Sequence, residues 1–238
     1  MWFKSVLKKA VYGYKATSDS YVTYLRSIGV DVGKDCKIFC PHETSIDTLN
    51  PHLLTIGDHV SITGPATILT HDYSVGVIKT WTHGEVLGAQ KPVSIGSNVF
   101  LAWGCTVLPG TIIEDNVIIG AGAVVTGKIA EDGVYGGNPA RLICTLQDYY
   151  ERRKRRQLPE ALEVWRRYVA RFGREPGREV FHEYFYLFTR SADDLDPAFR
   201  RKLDDHDNAE ECLAYLYDGR NNAPFASFDE FAEYARRQ

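Results

Sequence analysis

Aliphatic side chains at Ile95, Leu101, Val107, Ile113, Ile119 and Val125 recur at every sixth residue without a break. Four residues after each comes Val99, Cys105, Thr111, Val117, Ala123 and Ile129, all small or β-branched. The position directly after each (Gly96, Ala102, Leu108, Glu114, Gly120, Thr126) is often small as well. The same frame is visible earlier, at Val32 and Ile38 and again at Ile56, Ile62 and Ile68. Neither a 3.6-residue helical period nor a two-residue strand period sustains six. A triangular coil does, with one short strand per face and a turn after each. Every aliphatic residue then points inward and stacks on its equivalent one coil away, and no coil buries enough apolar surface alone. Gly96, Gly110, Gly120 and Gly122 are expected to supply corner conformations that other residues resist. Asn98 and Asn116 are placed to support corners. The frame predicts a mainly β fold, a parallel β-helix of hexapeptide repeats over residues 30–143.

The repeat breaks twice. Between Cys40 and Leu54 the phase is lost and Pro41 and Pro51 flank the gap, which predicts a distorted coil. Between His71 and Pro92 the hexads stop altogether, and a segment of that length must loop out of the prism. Long loops leaving a rigid scaffold usually carry function.

The flanks read differently. Residues 1–29 form an N-terminal helical segment. Trp2, Phe3, Val6, Leu7, Ala10 and Val11 alternate with Lys4, Lys8, Lys9 and Lys15, an amphipathic helix over 1–15 that packs on the domain or lies on a membrane surface. A second short helix over 18–30 is stopped by Gly29. Residues 144–238 form a C-terminal α-helical extension. Leu158, Leu162, Trp165, Tyr168, Val169 and Phe172 have helical spacing, as do Val180, Phe181, Tyr184, Phe185 and Phe188. Further helices are expected over 193–203 and 210–217. Ser227 with Glu230 three residues on opens a last one through Phe231 and Tyr234. The basic run 152–156 reads as a solvated helix face or an anion contact.

A net charge of −3 argues against nucleic-acid binding, which needs a basic footprint. The lysines interrupt the N-terminal apolar residues too often for a signal peptide or a membrane span. Five scattered cysteines, Cys36, Cys40, Cys105, Cys144 and Cys212, then suggest reduced thiols and a cytoplasmic protein. Cys36 and Cys40 lack a second pair to complete a zinc site, so no metal is expected.

The frame, the break at Thr70, His71, Asp72, Tyr73 and Ser74, and the run from Gly120 through Ala121, Gly122 and Ala123 to Thr126 are distinctive together. With the ending Gly137, Asn138, Pro139, Ala140, Arg141, they resemble the hexapeptide-repeat acyltransferases. The nearest branch holds the maltose and galactoside O-acetyltransferases and acyltransferases associated with surface polysaccharides. The resemblance covers residues 30–143. It implies a left-handed coil, against the usual right-handed crossover. It also implies a homotrimer with active sites between subunits, acetyl-CoA as acyl donor, and a small-molecule or carbohydrate acceptor.

Acyl transfer to a hydroxyl needs a base near neutral pH, and imidazole suits it. The resemblance assigns that role to His71, in a direct transfer with a backbone N–H holding the oxyanion. It places Ala102 and Trp103, Ala121 and Thr126 along the pantetheine arm, Lys128 near it, and Asn138 and Arg141 at the nucleotide end. Phe100 lines the acceptor side, with Asp72 and Tyr73. Asp72 either orients an imidazole or acceptor or serves only the turn. Tyr73 and Trp81 either stack on a sugar or anchor the loop. His83 and Glu85 either reach the acceptor or pack the loop.

Two departures stand out. Gly127 precedes Lys128 where relatives have lysine directly after Val-Thr. The acceptor-binding asparagine of the maltose and galactoside enzymes has no counterpart, leaving His42 or Glu43 as substitutes. Cys105 reads as core packing rather than as a nucleophile. Two further readings stay open, an N-acetyltransferase acting on an amino sugar and a non-catalytic trimeric scaffold, while a zinc enzyme is disfavoured. The zinc class needs two histidines five residues apart, which His42, His52, His59, His71 and His83 do not supply. The helical extension would cover the acceptor end or clasp a neighbouring subunit. The acceptor itself is not readable from the sequence.

Overall fold

A computed structural model describes residues 8, 10–190, 195, 196, 199, 200, 203, 208–218 and 221–238. The chain divides into two compact units, the first ending at Tyr149 and the second beginning at Tyr150.

The first unit is a three-faced parallel β-helix. One face stacks Asp31–Val32, Leu54–Ile56, Val93–Ile95, Ile112–Ile113 and Lys128–Ile129. The second stacks Lys37–Ile38, Ser61–Ile62, Phe100–Leu101, Val117–Ile119 and Gly133–Gly136. The third stacks Ser45–Ile46, Thr67–Ile68, Thr106–Val107 and Val124–Val125. Parallel register joins like to like: Ile56 with Ile95, Ile62 with Leu101, and Ile68 with Val107. All of these aliphatic residues are buried in one cluster, as are Val99, Cys105, Val117 and Ala123 in the second slot of the hexad, where Thr111 is buried too. Ile129 belongs to a different slot from the one its spacing suggests. The last corner is shortened, so Ile129 lies in register with Ile113 and begins the next coil.

Backbone geometry redistributes the roles of the glycines. Gly110 and Gly122 take positive φ, at 83° and 70°, whereas Gly96 and Gly120 do not. Those two are needed for close approach between coils: a Cβ on Gly120 would lie 3.2 Å from the Tyr135 carbonyl oxygen, and one on Gly96 2.8 Å from the Glu114 carbonyl carbon. Asn98 and Asn116 do adopt the left-handed conformation, at φ 55° and 59°, and the Asn98 amide donates to Asn116 Oδ1 at 2.7 Å. Asn tolerates this region better than most residues.

Both ends of the prism are closed. Helix Ser18–Ser27 starts at Thr17, whose hydroxyl accepts from Ser20 N, and it ends before Gly29 at φ 102°. Its Tyr21, Val22 and Leu25 belong to the prism core, so the N-terminal helical segment is part of the first unit rather than a separate body. It also satisfies edge backbone groups. Ser18 Oγ accepts from Ile38 N at 2.9 Å, and Arg26 Nε donates to the Val32 carbonyl at 3.0 Å. At the other end Arg141–Thr145 turns back antiparallel on Gly133–Gly136, so the prism continues two residues beyond 143. Of the amphipathic helix read over 1–15, residues 8 and 10–12 are described and are helical, and a 3-10 turn, Gly13–Ala16, follows them.

The second unit is helical, and no strand occurs among its described residues. Helix Leu146–Phe172 runs 27 residues through Pro159 and buries Ala161, Leu162 and Trp165. Trp165, Phe181, Phe185, Phe188, Phe225 and Phe231 share its core. The helix read over 180–188 is instead two 3-10 turns, Arg178–Phe181 and Phe185–Leu187. Residues three apart also share a face in 3-10 geometry, so aromatic spacing alone does not separate the two. The element read over 193–203 lies mostly outside the described residues. Ala209–Tyr217 is helical, as is Phe228–Arg236, capped by Ser227 Oγ accepting from Glu230 N. In the basic run, Arg153 forks onto Glu160 with bonds of 2.8 and 2.7 Å.

Stacking makes specific demands on stability. Leu101→Ala, at a fully buried position, should cost roughly 3 kcal/mol. A Cβ on Gly57 would lie 2.7 Å from the Gly96 carbonyl carbon, whereas one on Gly122 meets nothing within 4 Å. Denaturant unfolding should therefore find Gly57→Ala more damaging than Gly122→Ala, which bears only the left-handed penalty of about 1–2 kcal/mol. Equal losses would contradict this packing.

Candidate functional site

The corner between the third and first faces is where the second coil opens. Thr70 is fully buried at the end of its face, and the chain leaves the prism directly after it. The departing and returning strands pinch together: Lys91 N donates to the Thr70 carbonyl and Asp72 N to the Ala89 carbonyl, both at 2.9 Å, with His71 bridged to Gln90. His71 thus sits at the neck of the loop, part-buried and held by backbone on both sides.

Its imidazole is fixed from the neighbouring coil. His71 Nδ1 lies 2.5 Å from Asp47 Oδ2, and the Asp47 side chain is only 4 % exposed. The Thr70 hydroxyl donates to the same oxygen at 2.5 Å and Thr70 N at 3.1 Å, while Leu49 N donates to Oδ1 at 3.0 Å. Burial by itself would raise this carboxyl. The Thr70 hydroxyl, Leu49 N–H, the His71 ring and Thr70 N–H outweigh it and lower the pKa to about 2. An ionised Asp47 accepts hydrogen bonds only, so Nδ1 carries the proton and Nε2 is left as the proton acceptor.

Asp47 is the residue that sequence reasoning missed. It lies 24 residues before His71, inside the coil whose phase was lost. Its one visible signal was a carboxylate directly after the inward Ile46 in that distorted coil. Asp72, the carboxylate adjacent to the histidine, faces elsewhere. Its oxygens accept from Ser74 N at 2.7 Å and Ser74 Oγ at 2.9 Å, a turn that leads into the short helix Val75–Trp81.

Tyr73 sets its ring edge-on to His71, with centroids 4.6 Å apart. It is 72 % exposed and Trp81 is 78 % exposed, so neither anchors the loop. His71, Asp72, Tyr73, Val75 and Leu87 to Gln90 surround a recess of about 240 Å³. His83 and Glu85 lie near the loop tip outside it, His83 at φ 60°.

The residues read as cofactor contacts fall on two edges. Ala102, Trp103 and Ala121 lie on the corner between the second and third faces, with the exposed Asn138 beyond the last of these coils. Thr126 lies at the corner between the third and first faces, the one that also carries His71, but two coils further on, and Lys128 opens the first-face strand that follows. Lys128 Nζ pairs with Glu114 at 2.8 Å. Arg141 is exposed, its guanidinium donating to the Ala140 carbonyl. Phe100 points outward from the second face. His42 and Glu43 occupy the second–third corner of the first coil, where the His42 ring lies tilted against Tyr12 with centroids 4.7 Å apart; they are across the third face from His71. Along the second–third corner Gly104, Ala121 and Gly122 are exposed, and a Cβ on Gly122 would enter open space. A ligand that hydrogen-bonds to backbone fits such an edge. Among the described residues no group of three or more His, Cys, Asp or Glu is arranged to hold a metal, and no helix is long and apolar enough to cross a membrane.

The profile of the bacterial transferase hexapeptide family (six repeats) matches residues 92–127. Protein CapG of Staphylococcus aureus is 35% identical over 125 residues, covering 52% of this chain and 71% of that protein. Galactoside O-acetyltransferase of Escherichia coli K12 is 32% identical over 104 residues, covering 44% of this chain and 50% of that one. Among solved structures, a galactoside acetyltransferase in complex with coenzyme A aligns with 27% identity and a TM-score of 0.37, over 51% of this chain and 57% of its own. The chain thus spans more than two thirds of CapG but only half of the galactoside enzyme. With the six-residue frame, the stacked coils and these relatives together, the chain belongs to the hexapeptide-repeat acyltransferase family.

Proposed function

We propose that the protein is an acetyl-CoA-dependent O-acetyltransferase acting on a hydroxyl of a sugar or polysaccharide precursor, with His71 as general base. The observation that carries this reading is the buried, ionised Asp47 on His71 Nδ1, which leaves Nε2 as the proton acceptor of a side chain lining a recess. The O-acetyltransferase named among the relatives supports hydroxyl acceptors.

His71 Nε2 takes the acceptor's proton as its oxygen becomes nucleophilic. Asp47 holds the Nδ1 proton and offsets the charge of the imidazolium that forms. Acetyl-CoA supplies the acetyl group as a thioester and leaves as the free thiol. A backbone N–H at a coil corner steadies the oxyanion, and His71 returns its proton to the departing sulfur. Cys105 takes no part: it is 1 % exposed and burial pushes its thiol to about 11, so no covalent intermediate is assigned to it.

Ala102, Trp103, Ala121 and Asn138 would hold the donor along one edge, Thr126, Lys128 and Arg141 would complete its site, and Phe100 and Tyr73 would face the acceptor. Their division between two edges of one prism supports a homotrimer. A neighbouring copy would set the second–third corner of one chain against the third–first corner of the next. The coil is read as left-handed on family grounds.

Thiol release from acetyl-CoA with a panel of sugars tests the base. His71→Ala should lower kcat about 10²–10⁴-fold with the fold retained by circular dichroism. Wild-type rates in the variant would sink the assignment. Asp47→Asn, which leaves Nδ1 without its anionic partner, should lower kcat about 10²-fold.

The same carboxylate sets an acid limit. Its folded pKa of about 2 lies below the ordinary aspartate value of 3.8, so its stabilising contribution is complete above pH 3.8 and is lost as the pH falls through about 2. Melting temperatures between pH 5 and pH 2 should fall more steeply for wild type than for Asp47→Asn. Parallel curves would contradict the strong pairing.

A further inference from the structure

Each oxygen of the Asp47 carboxylate is already fixed by a backbone donor. Leu49 N–H donates to Oδ1 at 3.0 Å and Thr70 N–H to Oδ2 at 3.1 Å. Those two bonds aim the group from backbone that the stacked coils hold in place. The Thr70 hydroxyl is therefore not needed for placement. It lies 2.5 Å from Oδ2, the oxygen that His71 Nδ1 also approaches to 2.5 Å. Because an ionised Asp47 can only accept, the hydroxyl proton points at Oδ2 and the two donors share that oxygen. Thr70 is fully buried and does not line the recess, so its hydroxyl is out of reach of a ligand there. Among the described residues, the other titratable groups against the ring are Asp72 and Tyr73 on the departing strand, and the Asp72 oxygens are taken up by Ser74. On the returning strand Gln90 is neutral, and Lys91 lays its stem toward Gly110 of the next coil.

Sharing has a chemical consequence. A carboxylate stabilised by a hydroxyl is a weaker base and pulls less on the proton of its other partner. Burial raises the Asp47 carboxyl, and the Thr70 hydroxyl is the foremost of the contacts that bring it down, ahead of Leu49 N–H and the His71 ring. A buried carboxylate facing the imidazole alone would favour the doubly protonated ring, and a protonated Nε2 accepts nothing. We propose that Thr70 acts through Asp47 as a positioning residue for the proton rather than for the carboxylate: its hydroxyl tempers Oδ2, so that Nε2 is free to accept at a lower pH than it would be without the hydroxyl. The proposal rests on His71 as the base. Thr70 itself touches no reacting atom.

The test follows the ring itself and needs no acceptor. In the full chain with isotope-labelled histidine, NMR reads the two ring nitrogens of His71 across pH, the signals being identified by their loss in His71→Ala. The neutral ring of wild type should carry its proton on Nδ1. Thr70→Val keeps the shape and removes the donor; it should retain that tautomer and raise the midpoint of the ring titration by about 0.5–1 pH unit. Thr70→Ser restores the donor and should stay within about 0.2 unit of wild type. Thr70→Cys, a weaker donor, should lie between them, and it carries the test if circular dichroism finds the valine variant unfolded. With a sugar that wild type acetylates, the acid limb of kcat/KM should move by the same amount while the plateau above it stays within about threefold. A midpoint unmoved or lowered by loss of the hydroxyl would overturn the proposal. So would loss of the Nδ1 tautomer, which would make the hydroxyl a means of placing the carboxylate. These outcomes are read without turnover and leave the base assignment standing. That assignment falls instead on wild-type turnover in His71→Ala, and the proposal falls with it.

Discussion

Each inward aliphatic residue of the prism is covered by its counterparts one coil above and below, and everything else in the first unit depends on that stacking. Strands of two or three residues hold no shape alone. They are held because the N–H after each inward residue reaches a carbonyl of the next coil, as in Gly57 N to the Ile95 carbonyl at 2.8 Å and Gly96 N to the Ile113 carbonyl at 2.7 Å. The spacing this imposes leaves no room for a Cβ at Gly57 or Gly96. It also exposes backbone at both ends, where Ser18 and Arg26 on one side and Arg141–Thr145 on the other satisfy it.

A rigid stack confines variation to its corners. The first coil carries an extra turn at Cys40, where Glu43 N and Thr44 N both donate to the Cys40 carbonyl, and a 3-10 turn, Pro51–Leu53. Neither disturbs the pairing of Ile46 with Ile68. That register matters for chemistry. It sets Asp47 beside Leu69 and Thr70, close enough for a buried carboxylate to take three hydrogen bonds on one oxygen. The strain of burying a charge is offset on the spot rather than through a distant partner.

What the sequence made legible was whatever repeats. The hexad frame, its two interruptions, the exit at His71 and the stop at Gly29 all follow from local pattern and backbone preference. Asp47 did not, because its role depends on which residues a distorted coil places over Thr70, and the lost phase concealed that. Local pattern marks Gly96 and Gly120 as corner conformers, whereas the constraint on them comes from the neighbouring coil, which no local signal reports. Ile129 was misplaced by one slot because a shortened corner looks the same as an unbroken frame until the registers are compared. In the helical unit, apolar spacing at Phe181, Tyr184 and Phe185 suited α-helix and 3-10 turn equally.

The proposed site divides its work between the two parts of the first unit. The hydrogen bonds that orient the imidazole come from the prism: Asp47, Thr70 and the Leu49 amide are all buried or on its coils. Everything that would meet an acceptor belongs to the loop: Asp72, Tyr73, Val75, Leu87 and Gln90 lie beyond the neck, and none of them contributes to holding Asp47. Changes in the loop can therefore alter which ring is accepted without loosening the base, because the hydrogen bonds that set the Nδ1 proton do not pass through it. The reverse does not hold. A change at Ile46 or Ile68 that shifted the third face would move Asp47 relative to His71 directly. Conservatism in the stack and latitude in the loop are two consequences of the same geometry.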